Sequence, residues 1–126
     1  MSIRELKLST DNWYPGELLD NEASYCHITI TYNISGERHK VDAHIDKIIE
    51  DNNDLKKIPK VNTTLYWQNN FHIENKDEDI INQIIRKELK EKLKEIFIDS
   101  DNKSYETVTA FCQVGNYRGY LFELDV

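Results

Sequence analysis

Two short polar stretches carry the side chains best suited to binding a phosphorylated ring compound. Residues 38–40 read Arg-His-Lys, and residues 116–118 read Asn-Tyr-Arg between two glycines. A guanidinium binds phosphate through charge-assisted hydrogen bonds, an aromatic ring stacks on a nucleobase, and an amide reads the edge of the base. These stretches therefore indicate a nucleotide site. The residues predicted to line it are Trp13, Tyr14, His27, Arg38, Trp67, Phe71, Asn116, Tyr117 and Arg118.

Ordinary structural roles also account for these residues, and both interpretations stay open. Turns are usually polar, and Trp13-Tyr14 leads into a Pro-Gly turn, which suits a loop that folds its rings over one end of the core. Trp67 and Phe71 recur at the even spacing of a strand with one buried face, which is typical of core residues.

The sequence contains no recognisable motif for metal binding or for nucleophilic catalysis. Its four histidines are scattered, and His39 and His44 are predicted on opposite faces of one strand, so they do not converge. Cys26 and Cys112 are isolated at apolar positions of predicted strands, which predicts buried thiols. We therefore expect a protein without a metal, a cofactor or catalytic residues, and not an enzyme.

One possible catalytic motif involves His27. His27 and Thr29 form an H-x-T pair, which is half of the signature of two-histidine phosphoesterases. In that family two such motifs on neighbouring strands supply an acid and a base, and the second motif is missing from this sequence. A small phosphoesterase therefore stays open as a further functional class that rests on this single pair.

The composition is that of one globular domain over residues 1–126, with a formal net charge of −7. This charge argues against extended binding to duplex nucleic acid, which needs a basic surface. It permits a basic protein partner, or a small anionic ligand where a few cations converge. No apolar run approaches the roughly 20 residues that span a bilayer, and the N-terminus lacks a signal-peptide core. We expect a cytoplasmic protein without membrane contact.

Residues 77–97 are expected to organise the fold as one long amphipathic helix. Apolar side chains recur at helical spacing from Ile80 to Phe97, and the positions between them are charged or amide. Asn75 is the predicted N-cap, with Glu78 three residues later. The apolar stripe of such a helix must cover a sheet.

The remaining segments predict the strands of that sheet. Residues 24–34 alternate apolar and polar side chains, and residues 37–45 are predicted to return beside them as a hairpin, before a helical turn at 46–50. The fold class is α+β: an antiparallel sheet of about five or six strands with one long helix across one face. Further strands are expected at residues 3–9, 105–114 and 120–126. Residues 61–73 are expected to form either one long strand or two short ones that turn at Asn69-Asn70.

The sheet face opposite the helix is predicted to be polar and aromatic. Tyr25, His27 and Thr29 point to it from one strand, and Tyr105 and Phe111 from another. Such a face commonly meets a second subunit or a ligand. We therefore expect a homo-oligomer, a dimer or larger.

Over most of its length the chain resembles the small phage proteins of the first anti-Thoeris family. The likeness lies in the strand that leads to Trp13-Tyr14, the strand at residues 25–29, the helix at 77–97 and the closing hairpin around residues 116–118. It is a likeness of size and layout, without a diagnostic motif. It implies an oligomer in the host cytoplasm that sequesters cyclic ADP-ribose isomers, or cyclic oligonucleotides, without cleaving them. Bacterial anti-phage defence would thereby be blocked.

The alternative function is that of an acidic protein inhibitor. An immunity protein or anti-defence decoy of this kind would block a basic protein partner with its negative surface. The charge, the small size and the α+β pattern suit this function equally well.

Overall fold

The computed structural model describes residues 2–7, 25–36, 38–51, 54–61, 63–73, 75–98, 105–115 and 117–125. Within them the chain forms six strands and two helices, which confirms the predicted α+β class and adds a second helix. Of these helices, none is both long and apolar enough to cross a bilayer. The elements are β1 (Ser2–Leu6), β2 (Tyr25–Gly36), α1 (Arg38–Asp51), β3 (Leu55–Lys57), β4 (Thr64–Asn70), α2 (Glu78–Phe97), β5 (Tyr105–Val114) and β6 (Arg118–Asp125).

The six strands form one antiparallel sheet in the order β1-β6-β5-β2-β4-β3. The segment from β2 to β5 runs β-α-β-β-α-β, and its four strands lie in the order β5-β2-β4-β3. This is the split β-α-β arrangement of ferredoxin-like folds. β1 and β6 extend the sheet beyond β5, so the first and last described strands lie side by side.

Helix α2 confirms the main expectation, with one correction at its start. The N-cap is Asp77, whose carboxylate accepts a hydrogen bond from the backbone N–H of Ile80 at 3.0 Å. Asn75 was the wrong choice, because its φ of 61° is left-handed while an N-cap needs an extended backbone. Asp77 has that backbone, with φ of −75° and ψ of 164°.

Helix α1 replaces the strand predicted at residues 37–45, so the predicted hairpin with β2 is wrong. Val41 and Ile45 are fully buried one helical turn apart, and Ile48 and Ile49 continue the same face. The apparent alternation of Val41, Ala43 and Ile45 covered only five residues, a window in which a strand and a helix give similar patterns. β2 instead pairs with β4 and β5, its neighbours in space.

The core lies between the helices and one face of the sheet. Ile28, Ile30 and Tyr32 of β2 are buried on that face, and Ile85 and Leu89 of α2 pack among them in one hydrophobic cluster. Cys26 and Cys112 are both buried, as predicted, and burial raises the pKa of the Cys112 thiol to about 12. Within residues 61–73 the structure has β4, which is shorter than the long strand expected and includes Asn69 and Asn70, where the alternative placed a turn; β3 lies beside it.

The opposite side of the sheet, here called the outer face, carries the side chains that alternate with the core residues. His27, Thr29 and Thr31 are exposed there, and Thr109 and Phe111 of β5 are half-buried. Both helices pack on the other side, so no described helix covers the outer face. The predicted polar and aromatic character of this face is thus present at these positions.

Candidate ligand-binding site

The sheet register places the two predicted arginines at opposite ends of the sheet. Arg118 pairs with Val114, which pairs with Ile28 near the start of β2. Arg38 instead begins α1, just beyond Gly36 at the end of β2. The eight residue steps from Ile28 to Gly36 span about 26 Å, at roughly 3.3 Å each. A small ligand held by one copy therefore does not contact both arginines.

Trp67 and Phe71 lie together in the core rather than at a surface. Only 4% of Trp67 and 2% of Phe71 is exposed, and their rings meet edge to face with centroids 6.0 Å apart. The indole N–H of Trp67 donates to the Asp54 carboxylate at 3.1 Å, and the Lys92 ammonium lies 5.4 Å from its ring centre. The core interpretation of these two residues is the one that the structure supports.

His27 lies on the outer face, on the other side of the sheet from Arg118. Its ring contacts the hydroxyl of Tyr66, and the amide of Gln68 donates to the same hydroxyl at 3.1 Å. Thr29, the second residue of the H-x-T pair, is exposed on the same face. Arg118 belongs to the core-facing side of β6, as its partner Val114 does on β5.

Three predicted site residues, Trp13, Tyr14 and Asn116, lie outside the described residues, as does the side chain of Arg38. Of the two strand ends that border the segment 8–24, the start of β2 lies at the Arg118 end of the sheet and the end of β1 lies nearer its middle. β1 ends at Leu6, opposite Leu121, and β2 begins at Tyr25, opposite Asn70. The involvement of Trp13 and Tyr14 stays a prediction.

The structure does bring Tyr117 and Arg118 together, around Asn82 of α2. The side-chain oxygen of Asn82 accepts hydrogen bonds from the hydroxyls of Tyr120 at 2.6 Å and Tyr117 at 3.2 Å. It also accepts a longer contact of 3.5 Å from one guanidinium nitrogen of Arg118. Asn82 is only 7% exposed, so this oxygen is a buried acceptor for three donors. We call Asn82, Tyr117, Arg118 and Tyr120 the Asn82 cluster.

A tight turn delivers Tyr117 to this cluster. The Tyr117 N–H donates to the carbonyl of Val114 at 2.9 Å, and Gly115 between them has a φ of 49°. Glycine adopts that left-handed conformation without strain. The Gly115 N–H also donates to the carbonyl of His27 at 2.9 Å, which fixes the turn to the start of β2.

Two arginines flank the cluster, and their electrostatic situations differ. Arg86 donates to both carboxylate oxygens of Glu5, at 2.9 and 3.1 Å, so its charge is neutralised. Arg118 is half-buried, and no carboxylate of the described residues forms an ion pair with it. Its guanidinium carbon lies 5.6 Å from the Tyr120 ring centre, within the range of a cation–π contact.

Burial governs the titration of the two tyrosines. It raises the pKa of Tyr120 well above the ordinary tyrosine value, assisted by neighbouring Tyr117 and opposed by Arg118 and Arg86. It also raises the pKa of Tyr117, with the charge of Glu78 adding to the effect. Both hydroxyls therefore stay protonated at neutral pH and act as hydrogen-bond donors, not as bases.

The raised pKa of Tyr120 predicts a loss of stability in alkaline solution. An unfolded tyrosine ionises near pH 10, whereas the folded Tyr120 ionises at a higher pH. The contribution of Tyr120 to the free energy of unfolding is therefore fully present below about pH 10. Above that pH it falls, by up to about 1.4 kcal/mol per pH unit. Urea denaturation at about pH 9, 10 and 11 should show a shallower fall for Tyr120→Phe than for the parent. Equal slopes would contradict the prediction.

Sequence reasoning identified Tyr117 and Arg118 but missed Asn82, Tyr120 and the Glu5–Arg86 pair. One signal for Asn82 was available. It precedes Ile85 by three positions and Leu89 by seven, so it occupies the apolar stripe of α2, where an amide must find a partner. The pairing of Glu5 with Arg86 depends on β1 lying beside β6, which no local pattern indicates.

The described residues hold no group of three His, Cys, Asp or Glu side chains arranged to bind a metal ion. What the Asn82 cluster offers chemically is a positioned guanidinium, two protonated hydroxyls and an aromatic ring. The chain matches no protein-family model, no curated protein and no solved structure.

Proposed function

We propose that the protein is a non-enzymatic binding protein that sequesters a small anionic nucleotide, with Arg118 as the contact to its phosphate. The observation that carries this proposal is the charge of Arg118. It is a half-buried guanidinium that no described carboxylate neutralises, in a chain with a net charge of −7. In such a chain an unpaired, partly desolvated cation is a favourable position for an anion.

The surroundings of Arg118 orient it for that task. Its described hydrogen bond uses one terminal nitrogen, toward Asn82, and its guanidinium carbon lies 5.6 Å from the Tyr120 ring centre. The other N–H groups of the fork are left for two parallel bonds to a phosphate. Because Asn82 and Tyr120 are themselves buried and hydrogen-bonded, little side-chain entropy is lost when the anion binds.

The class of nucleotide is taken from the resemblance to the first anti-Thoeris family. A cyclic ADP-ribose isomer is therefore the first ligand to test, with cyclic oligonucleotides second. Sequestration without cleavage suits the Asn82 cluster, since its tyrosines are held protonated by burial and provide no general base. The blocking of a bacterial anti-phage signal would follow from tight, reversible binding.

Removing Arg118 is expected to weaken nucleotide binding by roughly ten- to a hundred-fold. A charge-assisted hydrogen bond to phosphate is worth about 1.5–3 kcal/mol, and about 1.4 kcal/mol corresponds to a tenfold change in Kd. Calorimetry of Arg118→Ala against a panel of cyclic and linear adenine nucleotides would measure it. Arg118→Lys keeps the positive charge but lacks the planar guanidinium, so its affinity for the nucleotide should fall less than that of Arg118→Ala.

Lys94→Ala is the matched control, because Lys94 is an exposed cation in the last turn of α2. It should leave the affinity unchanged. Equal losses in the two variants, or no heat with any nucleotide, would overturn the proposal. Breakdown products of the nucleotide in the calorimeter cell would instead indicate the phosphoesterase class.

A titration that releases no heat with any nucleotide would favour the alternative function, an acidic inhibitor of a basic protein. Helix α2 gives that alternative no single-sign surface. Helix α2 contains five acidic and five basic residues, with the two signs interspersed along its length. We therefore rank it below nucleotide binding.

A further inference from the structure

Two guanidinium groups lie beside one aromatic ring of the Asn82 cluster. The guanidinium carbon of Arg86 is 5.5 Å from the centre of the Tyr120 ring, and that of Arg118 is 5.6 Å from it. Both distances are within the range of a cation–π contact. Two cations beside one ring also repel each other, and an anion placed between them would replace that repulsion with attraction.

The register of the sheet brings the two guanidinium groups to Tyr120 from opposite directions. Arg118 precedes Tyr120 by two residues on β6, so the two side chains lie on the same face of the strand. Arg86 binds Glu5, and Glu5 lies opposite Phe122, two residues after Tyr120. The Tyr120 ring therefore lies between the two arginines along the direction of β6.

The separation of the two guanidinium groups suits two linked phosphates. Since both carbons lie within 5.6 Å of one ring centre, they are at most about 11 Å apart, and their opposite approach favours the upper part of that range. A phosphorus atom lies about 4 Å from the guanidinium carbon that binds it, because the N–H···O bonds are about 2.8 Å long. One phosphate thus connects carbons up to about 8 Å apart. Two phosphates that share an oxygen reach further and can connect carbons at the full distance.

Arg86 keeps hydrogen-bond donors for a ligand although Glu5 pairs with it. Both carboxylate oxygens of Glu5 accept from the same nitrogen, Nε, at 2.9 and 3.1 Å. The two terminal nitrogens carry the other four N–H groups of the guanidinium, and no described residue accepts from them. The side chains of Arg86 and Glu5 are 32% and 29% exposed, so a phosphate in solution can reach the pair.

Glu5 has two opposing effects on anion binding at Arg86. Its carboxylate fixes the guanidinium at Nε, so little side-chain entropy is lost when the terminal nitrogens bind a phosphate. Its negative charge also cancels part of the attraction between Arg86 and an anion. The pair is neutral as a whole, and it contributes directed donors rather than net charge.

We propose, in a step that rests on the proposed function, that Arg86 binds a second phosphate beside the one on Arg118, so that the ligand is a nucleotide with two linked phosphates. Glu5 positions Arg86 for that contact. A mononucleotide has no second phosphate for Arg86, and the phosphates of a cyclic oligonucleotide are separated by riboses rather than by one shared oxygen. Arg86 is thereby the residue that selects a diphosphate.

ADP and AMP test this selection, because they differ by one phosphate on the same nucleoside. For the parent protein, calorimetry should give a Kd for ADP roughly ten- to a hundred-fold lower than the Kd for AMP. A double variant with Glu5→Gln and Arg86→Met removes the guanidinium without changing the net charge. Its Kd for ADP should rise to within about threefold of its Kd for AMP, while the Kd for AMP stays within about threefold of the parent value. A merely structural role of the pair would instead weaken both nucleotides together.

Arg4 and Glu123 provide the matched control, since they form another arginine–glutamate ion pair that involves β1. They lie opposite each other on the outer face, because Glu123 follows the buried Phe122. A double variant with Arg4→Met and Glu123→Gln makes the same two exchanges and also keeps the net charge. It should leave the ratio of the two Kd values unchanged.

Circular dichroism would establish that each variant is folded. If the double variant at residues 5 and 86 does not fold, Glu5→Gln alone replaces it. That variant keeps an oxygen for Nε of Arg86 and removes the negative charge, so it should lower the Kd for ADP more than the Kd for AMP.

Equal Kd values for ADP and AMP in the parent would overturn the role of Arg86 and leave the proposed function standing. The same conclusion would follow if the ratio were unchanged in the variant, or if ADP gave no heat while another nucleotide bound. An absence of heat with every nucleotide would overturn the proposed function together with the role of Arg86.

Discussion

Leu89→Asp is expected to leave most of the protein unfolded at 25 °C. Leu89 is fully buried at the middle of α2, in the cluster that joins the helix to the sheet. The substitution removes the burial of a leucine side chain, about 2–3 kcal/mol, and adds a carboxylate without a partner, which costs several kcal/mol more. The sum is comparable with the whole stability of a domain, about 5–15 kcal/mol.

Urea denaturation followed by circular dichroism would measure the loss. Ile80→Asp is the control on the same helix, because Ile80 is 43% exposed and lies in the first turn, where the helix dipole favours a carboxylate. We expect that variant to unfold within about 1 kcal/mol of the parent. A Leu89→Asp protein as stable as the parent would contradict the packing of α2 on the sheet.

Helix α2 could be predicted because its pattern extends over twenty residues, which only one period fits. Helix α1 could not be predicted in this way, since the apolar positions from Val41 to Ile45 fit the strand period as well as the helical period. The helical period becomes distinct only when Ile48 and Ile49 are included. The N-cap of α2 was missed for a different reason. Asn75 and Asp77 are both good capping residues by type, and the backbone angles that separate them are set by the preceding loop.

The candidate site was predicted in part for an equally physical reason. Tyr117 and Arg118 are neighbours in sequence, so they lie close together in any fold. Their grouping with Arg38 required the two ends of β2 to meet, which a strand of twelve residues prevents. Trp67 shows that an aromatic residue at even spacing serves the core more readily than a ligand, even when its N–H needs a polar partner.

Asn82→Ala is expected to destabilise the fold by about 2–4 kcal/mol, although it removes only three heavy atoms. The cost arises mainly from the Tyr120 hydroxyl, which loses its buried acceptor, whereas the Tyr117 hydroxyl loses one bond and keeps a second, of 3.4 Å, to the Glu78 carboxylate. An unsatisfied buried donor costs about 1–3 kcal/mol. Chemical denaturation at pH 7 would measure the effect, and Gln83→Ala, exposed on the same helix, should change the free energy of unfolding by less than about 0.5 kcal/mol.

A second substitution distinguishes this cause from the loss of helix packing. Tyr120→Phe removes the stronger of the two donors, whose bond to Asn82 is 2.6 Å long. In the Asn82→Ala background that hydroxyl has no acceptor in the cluster, so removing it should restore about 1 kcal/mol, whereas in the parent background it should cost about that much. A reversal of sign of this kind follows from an orphaned hydroxyl and not from a cavity, because a cavity would leave the effect of Tyr120→Phe unchanged. Additive losses would contradict the bond between Tyr120 and Asn82 as the cause of the destabilisation.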